Sequence, residues 1–362
     1  MGQIDPAVPR SETANRPREI ISVQYLRAFA ALSVLITHVL QWPLNDLNIA
    51  MLKTGRLGVE VFFVISGFIM TMIAGDGAFR PGRFLSRRAL RIVPAYWAAT
   101  FLVVAFALAL PNQFRTTVPT IEGLIKSLLF IPSLDPKAPL LALGWTLDFE
   151  AFFYVVFASL FFLRSELRTL VLCVLFAALV ATGLHLHDPS HVADFYTSMS
   201  LIGFCAGTLV AQLYRHGWLS PNPDFRYALI GAMLALLAAF YFLPWNDIDH
   251  TPLPLHLLMS ITAVSIVLLG LQIEVAELLP RSATLKYLGD ASYSLYLFHL
   301  FAIAAVWAVA KRLFDTQQPL VYLGCAAAAI IAGIGFSLVC HHLVERPFLK
   351  AGRRWRRTVV PA

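Results

Sequence analysis

The chain has 362 residues, of which 58% are hydrophobic and only 14% charged, and its mean hydropathy is +0.71. A water-soluble domain carries about twice that charge density, so a soluble globule is excluded. The net charge of +7 comes from basic residues that alternate with apolar runs instead of forming one patch, which points to membrane orientation and not to nucleic acid.

Residues 1–19 are polar and rich in Pro and Arg, and no small-residue cleavage site follows the first apolar run. They read as a cytoplasmic tail ahead of an uncleaved signal anchor. Hydropathy then places ten spans at about 20–40, 57–75, 91–110, 145–163, 168–186, 194–213, 227–244, 254–273, 288–310 and 319–342. Runs such as 92–110 and 227–243 are apolar all round, unlike the alternating strands of a β-barrel. The expected class is therefore an all-α polytopic integral membrane protein of about ten transmembrane helices. The expected domain is 20–345, followed by a basic cytoplasmic tail at 346–362. With the N-terminus inside, 20 Lys and Arg fall on the cytoplasmic side and 7 outside, and Arg27 lies within the first span. That bias puts both termini in the cytoplasm. The loop 111–144 carries five prolines and reads as a lid that lies against the outer surface or dips into it. No internal repeat and no matching pair of broken spans is present, which weakens a transport reading.

Ionisable residues inside the hydrocarbon cost about 2.5–3.5 kcal/mol each, so each is a functional candidate. Arg27 and His38 of the first span are 11 residues apart, about three helical turns, and so share one face at different depths. They form a polar seam, or else Arg27 snorkels inward and His38 is satisfied at the outer interface. Glu60 of the second span is placed to pair with Arg27 or Arg56. Asp148 and Glu150, near the start of the fourth span, point to roughly opposite faces. Glu150, with Tyr154 one turn on, is the better seam residue, while Asp148 suits the first-turn helix dipole. In the ninth span Ser292, Tyr296 and His299 recur at helical spacing beside Tyr293, as a functional stripe or as interhelical glue.

The segment from Arg80 to Pro94 carries Arg80, Arg83, Arg87, Arg88 and Arg91 and no lysine. Orientation alone does not require arginine, whose fork grips phosphate in a bidentate way, although anionic lipid also attracts such a segment. The cluster Arg353, Arg354, Arg356 and Arg357 reads as a lipid anchor. Acids of the outer segments, Asp188, Asp194, Asp247 and Asp249, carry no assignment. The four cysteines lie inside apolar runs with no CxxC pair, so no disulfide framework or metal site is indicated. GxSxG, Walker and HExxH signatures are absent. A neutral-range histidine, carboxylates that could hold its tautomer and a phosphate-gripping patch together suit acid–base transfer from a phosphorylated donor.

The order of motifs resembles the membrane-bound acyltransferase family 3, especially its exopolysaccharide O-acetyltransferase branch. The resemblance covers about residues 20–350. It rests on Tyr25 to Ala28 with His38, Gly58 to Phe68, Phe84 to Trp97, Trp145 to Leu147 with Glu150, and Ser292 to His299. It implies transfer of an acyl group, often acetyl, from cytoplasmic acyl-CoA to a glycan hydroxyl at or beyond the outer face of the bacterial inner membrane. It also implies roles for Arg27, His38, Arg88 and Arg91. The resulting expectation has His38, Arg27 and Glu150 as catalytic residues and Arg87, Arg88 and Arg91 binding acetyl-CoA or another acyl-CoA. Glu60, Ser292, Tyr293, Tyr296 and His299 line the substrate seam, and no metal takes part. Expected partners are acyl-CoA, membrane lipid and a carbohydrate acceptor, either polysaccharide or lipid-linked oligosaccharide. Nucleic acid is not expected. Succinyl transfer, a glycan-precursor transporter and a scaffold for a polysaccharide-assembly complex are the rivals. Direct transfer, a covalent acyl intermediate and a homo-oligomer stay open.

Overall fold

The computed structural model describes residues 19–41, 49–110, 118–132, 139–186, 190–243 and 252–351. The tail 1–18, the C-terminal arginine cluster and Asp188, Asp247 and Asp249 lie outside the described residues. Thirteen α-helices occur among the described residues: α1 (Ile21–Gln41), α2 (Ile49–Ala74), α3 (Pro81–Ala109), α4 (Ile121–Leu128), α5 (Trp145–Ser159), α6 (Ser165–His185), α7 (His191–Tyr196), α8 (Leu201–Arg215), α9 (Pro223–Phe242), α10 (Leu253–Val275), α11 (Ala283–Asp290), α12 (Ser292–Leu313) and α13 (Pro319–Cys340). No strand occurs among those residues. Nine helical stretches are long and apolar enough to cross a bilayer, so the protein is an all-α polytopic membrane protein.

Helix starts follow the local chemistry. Prolines open α3, α9 and α13, where the missing N–H costs nothing, and Thr120, Ser190, Asn222 and Ser282 cap α4, α7, α9 and α11. The start of α1 is capped from a distance. The Glu274 carboxylate of α10 accepts from the Ile21 and Ser22 amides, both at 2.9 Å, and from the Ser22 hydroxyl at 2.5 Å. An anion there also suits the positive end of the helix dipole.

Two expected spans are built differently from a single straight helix. The 194–213 span is broken into α7 and α8. The 145–163 span is only α5, whose 15 residues rise about 22 Å, less than a hydrocarbon core of about 30 Å. A 3₁₀ turn at Ala142–Gly144 and α4 occupy the neighbourhood of α3 that a longer helix would have filled. The Trp97 indole donates to the Leu128 carbonyl at 2.9 Å, and the Phe130 ring packs on Tyr96 at 4.8 Å. Trp97 lies 16 residues into α3, about 24 Å along it, so this segment dips beside α3. At the other end of the chain, helix continues from Pro319 to Ala351, with one π turn at His341–Glu345, and no break separates 345 from 346.

α2 lies centrally against α1, α8 and α10. Its crossing with α8 is set by two glycines. A Cβ on Gly207 would fall 2.0 Å from the Val64 carbonyl oxygen, and one on Gly67 would fall 2.2 Å from that of Phe204. Backbones meet this closely in membranes only where side chains are absent. Gly207→Ala is therefore expected to lose most folded protein in detergent-resistant size-exclusion assays. Gly231→Ala, where a new Cβ meets nothing within 4 Å, is expected to keep wild-type yield.

Candidate active site

α1, α2, α3, α5 and α12 surround a cavity of about 90 Å³, room for several waters, whose wall sets a few polar side chains among apolar ones. Three guanidiniums reach it: Arg27 from α1, and Arg88 and Arg91 from α3. Arg27 is 6% exposed and donates to the Gln24 side chain at 3.2 Å, with no carboxylate at ion-pair distance among the described residues. The Nε of Arg88 is buried and makes no hydrogen bond there. Facing these cations, Glu150 accepts from the Ser66 hydroxyl at 3.2 Å and from the Tyr154 hydroxyl. Ser292, Tyr293 and Tyr296 complete the wall from α12. The Tyr293 hydroxyl donates to the Ile92 carbonyl at 2.8 Å, tying α12 to the arginine segment. Tyr296 and Thr146 hydroxyls meet at 2.8 Å.

One turn beyond Tyr296, the two histidines pair. His299 is fully buried and His38 half-buried, and His299 Nε2 lies 3.1 Å from His38 Nδ1. Each Nδ1 also faces a carbonyl of its own helix, Val34 at 2.9 Å for His38 and Leu295 at 2.7 Å for His299. A carbonyl only accepts, so in the neutral rings both Nδ1 atoms carry the proton. His299 Nε2 is then an acceptor for His38 Nδ1–H, and His38 Nε2 is left as a bare lone pair. A carboxylate was the expected orienting partner of His38; a second histidine has that place. His38 itself does not line the cavity, which ends at Tyr296 and Thr146 below the pair.

At the basic end of α3, Arg80, Arg83, Arg87 and Arg88 line a second hollow of about 260 Å³ with Phe79 and Phe84. Arg87 thus belongs to this groove and not to the cavity, while Arg88 borders both. The Arg87 Nε is also buried without a hydrogen bond among the described residues. Arg168 braces the groove: its guanidinium lies 4.6 Å over the Phe79 ring and donates to the Gly77 carbonyl at 2.9 Å.

Glu60 departs from expectation. It is 2% exposed and accepts from Ser260 of α10 at 2.6 Å, and Gly203 of α8 leaves it room. It pairs with neither Arg27 nor Arg56, and it lies outside the cavity. The helical repeat turns it toward α8 and α10, where the carboxyl ties α2 to α10 beside Gly203 of α8. Among the described residues no group of three or more His, Cys, Asp or Glu could hold a metal ion.

A family model described as an acyltransferase domain, Acyl_transf_3, matches residues 20–339. The chain belongs to this acyltransferase family. It is 36% identical over 314 residues to the exopolysaccharide production protein ExoZ of Rhizobium meliloti (strain 1021), covering 84% of this chain and 92% of that protein. It is 27% identical to the acyltransferase MdmB of Streptomyces mycarofaciens, covering 92% of each. Against the peptidoglycan O-acetyltransferase OatA of Listeria monocytogenes serovar 1/2a it is 23% identical, over 91% of this chain and 56% of that protein. No solved structure gives a significant match.

In this acyltransferase the cavity gathers most of the seam expected from sequence, and adds Ser66 and Thr146. Ser66 stands out in sequence only as a small residue, and its bond to Glu150 spans 84 positions. The His299 role has no local signal either, because it depends on a contact 261 residues away. The geometry predicts that His299→Leu frees the His38 ring and lowers acyl transfer about tenfold or more. His299→Gln, whose amide oxygen can accept Nδ1–H, should recover part of that loss. Equal rates in all three proteins would remove His299 from the site.

Proposed function

We propose that the protein moves an acetyl group from cytoplasmic acyl-CoA to a hydroxyl of an exopolysaccharide or another cell-surface glycan, within the bacterial inner membrane. The observation that carries this reading is the arginine-lined cavity that ends one helical turn below a histidine with a bare ring nitrogen. Acyltransferase membership supports the reaction, and the names of ExoZ and OatA support a polysaccharide acceptor and O-acetyl transfer.

Two arginine sites suit a donor with phosphates at one end and a thin acyl-bearing arm at the other. Arg80, Arg83, Arg87 and Arg88 would take the phosphates in the groove, and Arg88 and Arg91 would lead the arm into the cavity. The positive-inside bias supports a cytoplasmic position for that end. At the far end His38 Nε2 would accept the proton as the acceptor oxygen attacks the thioester carbonyl. The C–S bond then breaks and the proton passes to the departing thiolate. The Tyr296 and Thr146 hydroxyls would steady the oxyanion. Glu150, on the cavity wall opposite the arginines, would balance charge during donor entry.

Mass spectrometry of surface and secreted polysaccharide is the direct check, comparing cells lacking the protein with cells carrying wild type or His38→Ala. An ester of defined mass that appears only with wild type is the expected result, and that mass separates acetyl from succinyl. Glycan that changes location without any His38-dependent ester would instead favour the transporter. In membranes, Arg88→Ala should raise the KM for acyl-CoA about tenfold with a much smaller effect on the acceptor. An effect confined to the acceptor would contradict the phosphate role.

A further inference from the structure

Outward of the hydroxyl layer stands a cation that the donor path does not use. α1 and α2 run antiparallel, and two glycines of α2 fix their register. A Cβ on Gly58 would fall 2.9 Å from the Ala30 carbonyl oxygen, and one on Gly55 would fall 2.9 Å from Cγ2 of Thr37. The next residues along each chain, Arg56 and His38, therefore stand within about 3 Å of one level of the bundle. Arg56 also precedes Val59 and Phe63 of the cavity wall by three and seven residues, so it continues the cavity face of α2 one turn further out.

The Arg56 guanidinium lies 5.9 Å from the centroid of the Trp145 ring, and both side chains are half-buried. That indole is itself held in place, edge-on to Phe63 at 6.4 Å and to Phe149 at 6.0 Å. Thr146, the residue after it, bounds the cavity where its hydroxyl meets that of Tyr296 at 2.8 Å. One turn beyond Tyr296, His299 meets His38 at 3.1 Å. Arg56 on its indole and the histidine pair thus flank the same outer end of the cavity.

The chemistry of the two groups is complementary. A guanidinium offers a planar fork of N–H donors and no acceptor, whereas His38 Nε2 is an acceptor alone. A sugar ring with neighbouring oxygens answers both, because one hydroxyl gives its proton to the imidazole while the adjacent oxygen accepts from the fork. Stacking on Trp145 keeps that fork from folding away when no sugar is present. We infer that Arg56, held on Trp145, binds the acceptor glycan through an oxygen next to the hydroxyl that reacts at His38. Trp145 acts through Arg56 and is a positioning residue. This inference rests on the proposal that the protein acylates a glycan hydroxyl at His38.

The test uses purified detergent-solubilised protein, acetyl-CoA, and oligosaccharides cut from the polysaccharide of cells that lack the protein. Arg56→Gln should raise the KM for the oligosaccharide about tenfold and leave the KM for acetyl-CoA within about twofold. Arg56→Lys keeps the charge but loses the fork, and Trp145→Leu keeps the fork but loses its support, so each should raise the oligosaccharide KM about threefold. Thermal unfolding verifies the fold, and Arg56→Lys decides if Arg56→Gln does not fold. A rise in the oligosaccharide KM alone supports the inference. An unchanged oligosaccharide KM in both Arg56 variants overturns it and leaves the glycan reading standing. Equal rises in both KM values also overturn it, because they mark a structural role alone. If wild type forms no ester on the oligosaccharide, the glycan reading itself falls, and this inference with it.

Discussion

Keeping three guanidiniums together inside an apolar bundle is the constraint on which the rest of the structure depends. Each costs about 2.5–3.5 kcal/mol in hydrocarbon when nothing answers it. Arg27, Arg88 and Arg91 are answered by polar side chains instead of by direct ion pairs among the described residues: Gln24 on Arg27, and Glu150 with its Tyr154 and Ser66 bonds across the space. Cations balanced at a distance remain free to grip an incoming anion. A tight buried ion pair would have to be broken first, at a cost of several kcal/mol.

The scaffold makes such a cavity sustainable. α2 runs through the middle with its glycine contact on α8, while Glu60 with Ser260, and Glu274 with the start of α1, bind α10 to the same core. α5 is short, so Thr146 at its start comes to the height of Tyr296 and the polar space ends inside the bundle instead of running through it. The histidine pair sits just beyond that end, so the arginines and His38 lie on opposite sides of a hydroxyl layer.

Class, helix order and most of the wall residues were legible in sequence, because intramembrane charge and helical periodicity are local signals. Arg27, Arg91, Glu150, Ser292 and Tyr296 stand out that way, Arg88 and Tyr293 through the motifs that carry the family resemblance, and all reach the cavity. Partner choice was not legible. Glu60 is an intramembrane acid like Glu150, yet only the packing of α8 and α10 turns it to Ser260 and away from the cavity. Arg87 shares a face with Arg91 at helical spacing, but the groove under Phe79 and Phe84 takes it away from the cavity. His299 meets His38 across 261 residues, a contact that no local pattern encodes. The expected length of the 145–163 span exceeds α5 for a related reason: hydropathy registers apolar content and not the depth at which a helix begins.

The central claim is that the donor enters from the arginine end and presents its acyl carbon beneath the histidine pair. A cryo-electron microscopy structure with a non-hydrolysable acyl-CoA analogue tests this most directly. The account predicts phosphate density against Arg83, Arg87 and Arg88, an arm passing Arg91 and Glu150, and the acyl carbon next to Tyr296 and Thr146. Phosphates bound at the opposite end of the bundle, or an acyl group lodged outside this cavity, would contradict it.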